Sequence, residues 1–246
     1  MKLSRWYVFL SLLLAVISFS FYLAQVMIFH KPHDTFFYML QDLAFVPIQV
    51  LLVTLILNDL MARREKKALL NKMNMVIGAF FGEVGTELML HLSAFDSGAA
   101  DLKSTLKIDA SWNDHRFIQA KKQTINTNHQ IDAKLSDLYL LKEFLVLKRS
   151  FILSLLENQN LLEHQSFTDL LWAVSHLTEE LKLRSNFDEL PDSDLAHLSG
   201  DIRRAYVLLL TEWLGYVQHL KASYPYIYSL MIRSNPLDSE ASAIVK

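Results

Sequence analysis

The stretch WYVFLSLLLAVISFSFYLAQVMIF, residues 6–29, decides the fold class of this chain, and it contains no charged residue. A helix over these residues would be about 36 Å long, at about 1.5 Å per residue. That length exceeds the hydrocarbon core of a bilayer, which is roughly 30 Å thick. We therefore predict a first transmembrane helix over residues 6–29.

A secretory signal peptide is the alternative, because Lys2 and Arg5 precede this apolar stretch. The stretch is longer than a typical signal core of about 7–15 residues. Cleavage after Ala24 would also place the bulky Tyr22 where a small residue is required. Both points favour an uncleaved anchor.

A second apolar stretch, FFYMLQDLAFVPIQVLLVTLIL at residues 36–57, follows a short polar turn and predicts a second span with a kink at Pro47. Basic residues concentrate on one side of the pair: Lys2, Arg5, Arg63, Arg64, Lys66 and Lys67. Because cytoplasmic segments carry an excess of Lys and Arg, both ends of the hairpin are predicted to be cytoplasmic. The predicted divisions are a hairpin at 1–60, a cytoplasmic helical domain at 61–236 and a flexible tail at 237–246.

Two polar residues lie inside the second predicted span. Asp42 and Gln49 are seven residues apart and therefore share one helix face. An acid within a membrane is a functional hypothesis by default, and it would suit a small oligomeric channel or transporter subunit. The alternative is that Asp42 lies near the outer interface and contacts headgroups or water.

Composition limits the rest of the chain to an all-α fold. The 246 residues include 6 glycines and 5 prolines, fewer than sheet-rich folds need for their turns. The absence of cysteine excludes disulfides, thiolate catalysis and Cys-ligated metal clusters. A net charge of −2 provides no positive field for nucleic acid.

The cytoplasmic segment is predicted to form a helical bundle. No glycine or proline occurs between Ile48 and Ile77, so the second span should continue as one long helix. The apolar stretch 134–156 resembles a third span, but Lys142 and Arg149 near its middle make insertion costly. We predict further helices at about 166–184, with Ser166 as the N-cap, 193–221 and 226–233. Gly78, Gly82 and Gly85 predict either close helix packing or a helix break.

Acids and histidines recur at helical spacing, which is how carboxylate-bridged metal sites are built in helical bundles. The candidate ligands for iron, manganese or zinc are Glu83, Glu87, His176, Glu180, Glu212 and His219. Asp194, His197 and Asp201 follow the same three/four spacing. The alternatives are a buried polar network with Arg203 or Arg204, or ordinary solvated helix faces with no cofactor.

Three segments resemble uncharacterised bacterial membrane proteins with two transmembrane helices: HLTEEL from His176, RAY from Arg204 with EWL from Glu212, and YPY from Tyr224 with RSNP from Arg233. The resemblance implies a bacterial inner membrane and no mechanism. Nucleotide-binding, hydrolase, metalloprotease and kinase motifs are missing.

The missing motifs favour a non-enzymatic protein. We expect a membrane-anchored interaction, regulatory or scaffold module that contacts the lipid bilayer and either self-associates or binds a membrane protein. The alternatives are a metal-carboxylate protein, acting as an oxidoreductase or a metal sensor, and the channel subunit.

Overall fold

The computed structural model describes residues 5–134, 136–158, 161, 164–238, 241, 242 and 244. These residues form nine α-helices and one π-helical segment: α1 Arg5–Phe29, α2 Pro32–Phe80, the π segment Phe81–Gly85, α3 Thr86–Ser93, α4 Ala99–Thr105, α5 Asp114–Asn126, α6 Leu138–Leu156, α7 Gln165–Leu183, α8 Asp192–Ser223 and α9 Pro225–Arg233. The described residues contain no strand and only an isolated bridge between Asp96 and Ile131. The all-α prediction is confirmed.

The chain divides into two compact units, residues 1–66 and 67–246. In the first unit, α1 and the start of α2 are long and apolar enough to cross a membrane, and their most apolar windows bury no residue. The turn between them is shorter than predicted, because α2 already begins at Pro32. Proline suits a first helical position, and the preceding His30 adopts a left-handed φ of 53°.

The hydrophobic core lies in the second unit. Among the described residues, the buried hydrophobic side chains begin at Met73 and continue toward the C-terminus. Helix α8 is central and packs against α3, α5, α7, α9 and the π segment, while α6 packs against α7. Helix α6 buries Leu141, Leu145 and Ile152 and exposes Glu143. The apolar stretch that resembled a third span is therefore an amphipathic core helix.

Two helix starts differ from the predicted ones because of their caps. The side chain of Asp137 accepts hydrogen bonds from the backbone of Tyr139 and Leu140, so α6 begins at Leu138. The imidazole of His164 accepts a hydrogen bond from the Phe167 N–H, so α7 begins before the predicted cap, Ser166. Histidine is not among the common N-cap residues, which is why the sequence pattern did not reveal it.

The glycine cluster is both a packing site and a local change of helix type. A Cβ on Gly85 would lie 2.5 Å from Phe81 Cδ1 and 2.8 Å from Phe80 Cε1, and a Cβ on Gly78 would lie 3.0 Å from the Tyr216 hydroxyl. A Cβ on Gly82 would meet nothing within 4 Å. Only two of the three glycines therefore permit close approach.

Leu237, the first residue of the predicted flexible tail, packs against the domain. Leu237 is 1% exposed, and its N–H donates to the side chain of Asn235, which in turn donates to the Leu106 carbonyl. This attachment to a buried asparagine was not visible in the sequence. Residues 239, 240, 243, 245 and 246 of the predicted tail lie outside the described residues.

Candidate metal centre

Helices α7 and α8 form an antiparallel pair that is closed by Arg184, the residue directly after α7. The Arg184 guanidinium donates to both carboxylate oxygens of Asp194, at 2.6 and 2.7 Å, and to Glu180 Oε2 at 2.6 Å. Asp194 lies in the first turn of α8 and Glu180 in the last turn of α7. Arg184 thus fixes the end of one helix against the start of the next.

Four potential metal ligands meet one turn farther into this helix pair. His176 and Glu180 lie on one face of α7, and His197 and Asp201 lie on one face of α8, each pair at i, i+4 spacing. One ligand atom from each residue lies within 4.8 Å of the other three. Among the described residues this is the one such group of three or more.

The shortest distances converge on Asp201. Its Oδ2 atom lies 3.2 Å from His176 Nε2 and 3.4 Å from His197 Nε2. The Glu180 carboxylate completes the group, with Oε1 3.8 Å from His176 Nε2 and Oε2 3.6 Å from His197 Nε2.

Asp201 is the buried member, with a side chain that is 4% exposed, whereas the two histidines are about half exposed. Arg204 donates to Oδ1 of Asp201 at 3.1 Å. Oδ2 is buried and has no hydrogen-bond partner among the described residues, although both imidazoles are close. The ring N–H directions therefore do not point at Oδ2, and a buried carboxylate oxygen without a partner is costly.

The charged groups in and around the cluster carry a net negative charge. Glu180, Asp194 and Asp201 contribute three negative charges and Arg184 and Arg204 two positive ones, if both imidazoles are neutral. The hydrogen bond from Arg184 lowers the pKa of Glu180 and that of Asp194 below their usual values. Both carboxylates are therefore ionised at neutral pH and suited to a cation.

Four of the six predicted ligands lie elsewhere. Glu83 and Glu87 are exposed, with Glu83 3.9 Å from Lys148. Glu212 is buried, and it lies about 16 Å beyond Asp201 along α8 at about 1.5 Å per residue. His219 is farther still; its ring contacts Tyr224, and burial lowers its pKa. None of the four joins His176 and Glu180 in the described cluster.

The partners of His176 and Glu180 could have been found from the helix pairing. In an antiparallel pair, residues at equal distances from the middle of the connection lie side by side. Counted along the sequence, His176 and Asp201 lie equally far from the midpoint between Asp188 and Glu189. Glu180 and His197 also lie equally far from that midpoint. The sequence pattern showed both i, i+4 pairs but did not join them.

A second buried polar pair was not singled out from the sequence. His129 Nδ1 lies 3.2 Å from Asp96 Oδ2, its Nε2 lies 3.0 Å from the Thr124 carbonyl oxygen, and both side chains are 1% exposed. Both ring nitrogens are therefore engaged with protein oxygens. His129 has no free nitrogen for a ligand, so this pair is a structural connection between loop and helix.

The two predicted intramembrane polar residues are both exposed in the first unit. The Tyr22 hydroxyl of α1 donates to Asp42 Oδ2 of α2 at 3.2 Å. This hydrogen bond provides Asp42 with a partner within the same unit, a role that neither sequence interpretation included.

Comparison with known proteins gives two matches in chain order. Residues 2–61 match the family described as the N-terminal helical domain of MJ1433, and residues 69–233 match the family described as the C-terminal helical domain of uncharacterized protein MJ1433. The MJ1433 protein of Methanocaldococcus jannaschii is 45% identical to this chain over 240 residues, covering 98% of this chain and 96% of that protein. No solved structure matches.

This relative comes from an archaeon, so the bacterial source suggested by the resemblance stays a prediction. The aligned region covers nearly the whole chain and therefore extends over both units. The chain belongs to the MJ1433 family.

Proposed function

We propose that this protein is a membrane-anchored helical protein that binds one divalent transition-metal ion between α7 and α8. The ligands are His176, Glu180, His197 and Asp201. The observation that carries the proposal is the buried Oδ2 atom of Asp201, which faces two imidazole nitrogens without a hydrogen-bond partner in the described residues.

The ligand set is suited to first-row metals. Imidazole nitrogen and carboxylate oxygen bind zinc, iron and manganese, whereas an all-oxygen site would favour calcium or magnesium. Zinc with ligands at about 2.0–2.2 Å in a tetrahedron separates those ligands by about 3.3–3.6 Å. The two distances that share Asp201 Oδ2, 3.2 and 3.4 Å, lie close to that range. The Glu180 carboxylate approaches the imidazoles through its two different oxygens, at 3.8 Å from Oε1 and 3.6 Å from Oε2. Zinc is therefore the metal we expect first.

Hydrogen bonds outside the ligand set support the same proposal. Arg184 holds Glu180, and Arg204 holds the outer oxygen of Asp201. Partners of this kind orient metal-ligating carboxylates and keep them ionised. In an ordinary surface ion-pair network, the contribution of such pairs to stability would be only about 0–1 kcal/mol each.

The membrane part of the proposal is the predicted hairpin, with spans at about 6–29 and 36–57 and both ends in the cytoplasm. It is supported by the length and composition of α1 and α2 and by their exposed apolar side chains. A soluble protein rarely exposes a continuous apolar surface of that size. The role that fits an anchored metal-binding bundle is regulatory, because metal binding would join two helices and stabilise their pairing.

The test is titration of the purified full-length protein in detergent micelles, first stripped with a chelator and then supplied with Zn²⁺ or Mn²⁺. We expect one equivalent of metal per chain by calorimetry. At a free metal concentration a hundredfold above Kd, the domain should gain about 2.7 kcal/mol of stability.

Variants separate a built site from adventitious binding. His197→Ala and Asp201→Asn should abolish the stoichiometric binding, with helix content by circular dichroism unchanged. His115→Ala removes an exposed histidine of α5 outside the cluster and should bind metal like the wild type. Substoichiometric metal, or binding that survives His197→Ala, would contradict the proposal.

A further inference from the structure

A cavity of about 320 Å³ lies between α6 and α7, directly beside the cluster. Helix α6 contributes Arg149, Ile152 and Leu153, and α7 contributes Trp172, Ser175 and residues one turn farther on. These positions are spaced three and four apart, so each helix presents one face to the cavity. His176 belongs to both the cavity wall and the His/Glu/Asp cluster.

The body of the cavity is apolar. Ile152, Leu153 and the indole of Trp172 form its walls. Trp172 is 62% exposed, whereas Trp112 and Trp213, in the same unit, are each 1% exposed. Ligand sites commonly combine such apolar walls with a few polar groups, and their volumes begin at about 300 Å³. The space therefore suits a small molecule with an apolar body.

One end of the cavity is lined by the Arg149–Glu179 ion pair. Arg149 Nε donates to Glu179 Oε1 at 2.6 Å, and Lys182 lies 3.7 Å from the other oxygen of Glu179. Two cations thus face one carboxylate. The two terminal nitrogens of Arg149 donate to no protein group among the described residues. A guanidinium with both terminal nitrogens available can bind a carboxylate through two parallel hydrogen bonds.

A second polar group in the cavity lacks a partner. The Ser175 hydroxyl oxygen is buried and makes no hydrogen bond to any described residue. Serine in a helix usually bonds back to the carbonyl four residues earlier, as Thr178 does to Val174. Ser175 therefore leaves a buried hydroxyl without a partner behind the cavity wall.

From these contacts we infer that the cavity binds a small monocarboxylate with an apolar body. The carboxylate lies on Arg149, and the apolar body lies against Trp172 and Leu153. The chemistry is shared by aromatic acids and short fatty acids. The site does not depend on a bound metal, although its occupant would lie beside His176.

Benzoate and hexanoate are the probes, titrated calorimetrically into the full-length protein in detergent micelles, with benzyl alcohol and hexanol as uncharged counterparts. We expect saturable one-to-one binding of at least one acid, about tenfold or more tighter than its alcohol, because the hydrogen bonds to Arg149 are charge-assisted. The acid that binds identifies the aromatic or aliphatic source. If neither acid binds saturably, the inference is wrong.

Arg149→Gln should abolish the preference for acid over alcohol, and Arg149→Lys should restore part of it. The matched control is Arg203→Gln, which removes an exposed arginine of α8 that does not line this cavity. A preference that persists in Arg149→Gln would overturn the assignment. His197→Ala should leave acid binding intact and Arg149→Gln should leave Zn²⁺ binding intact, so failure of this site and failure of the metal site are distinguishable.

Discussion

At the scale of single residues, Arg184 is the most connected charge of the α7–α8 pair. Its side chain is 17% exposed and holds the Glu180 and Asp194 carboxylates, which are 24% and 26% exposed. Arg184→Gln would leave two partly buried carboxylates without their donor. We expect a loss of about 1–3 kcal/mol in the free energy of unfolding at pH 7, measured by denaturant titration of the chelator-treated protein with tryptophan fluorescence.

The pH dependence identifies the cause of this loss. Because Arg184 lowers the pKa of Glu180 and of Asp194 in the folded protein, their stabilisation is fully present above their unfolded pKa values, about 4.3 and 3.9. It is lost as the pH falls through the lower folded values. The difference between wild type and Arg184→Gln should therefore shrink below about pH 4. An equal difference at neutral and acidic pH, or a similar loss in Arg203→Gln, would count against the ion-pair explanation.

The candidate site could be predicted only in part at this scale. The helical spacing predicted that His176 and Glu180 share one helix face. It predicted the same for His197 and Asp201. Spacing along one helix contains no information about which helix lies opposite. Glu212 is the only charged residue within residues 205–218, but its distance along α8 separates it from His176. The burial of Asp201, which makes the site notable, depends on tertiary packing.

At the scale of elements, the π segment between α2 and α3 ends at a closely packed glycine, Gly85. Gly85 is buried beside Phe80 and Phe81, and the centroids of these two rings are 5.3 Å apart. The ring of Phe81 also stacks on the ring of Tyr216. Gly85→Ala would force these buried rings to move. We expect a loss of about 1–3 kcal/mol in the free energy of unfolding, as in other overpacked cores.

Gly82 provides the matched control three residues earlier. It lies in the same π segment, is exposed, and offers open space to a Cβ. Gly82→Ala should be neutral or should stabilise the protein by up to about 1 kcal/mol, because alanine loses less backbone entropy than glycine. Denaturant titration of both variants under the same conditions gives the comparison. Equal effects of the two substitutions would show that close packing at Gly85 is not the reason.

The sequence predicted which segments of the second unit form helices better than it predicted where those helices begin and end. The spacing of apolar residues predicted α6, α7, α8 and α9, and α9 begins at Pro225, a residue typical of a first helical turn. The start of α7 depends on the hydrogen bond from the Phe167 N–H to His164 Nδ1, and the change from α2 to the π segment coincides with close ring packing at Gly85. Both are contacts between particular atoms, which an apolar pattern does not encode.

At the scale of the whole molecule, the two units differ in where their apolar side chains lie. Residues 67–246 bury theirs in one core, whereas α1 and the first part of α2 expose nearly all of theirs. The separate family matches at 2–61 and 69–233 follow the same division. The proposed membrane anchor follows from this contrast, because a bilayer would solvate the apolar surface that the first unit leaves unburied.

The absence of cysteine makes this proposal directly testable, because single cysteines can be introduced without removing any. His33→Cys lies in the first turn of α2, between the two spans, and Lys72→Cys lies beyond the basic cluster. If basic residues keep both ends in the cytoplasm, a membrane-impermeant maleimide should label position 33 in intact cells. Position 72 should react only after the membrane is opened. Labelling of both positions in intact cells, or of neither before lysis, would contradict the hairpin. The reverse pattern would place the helical domain that follows it outside the cell.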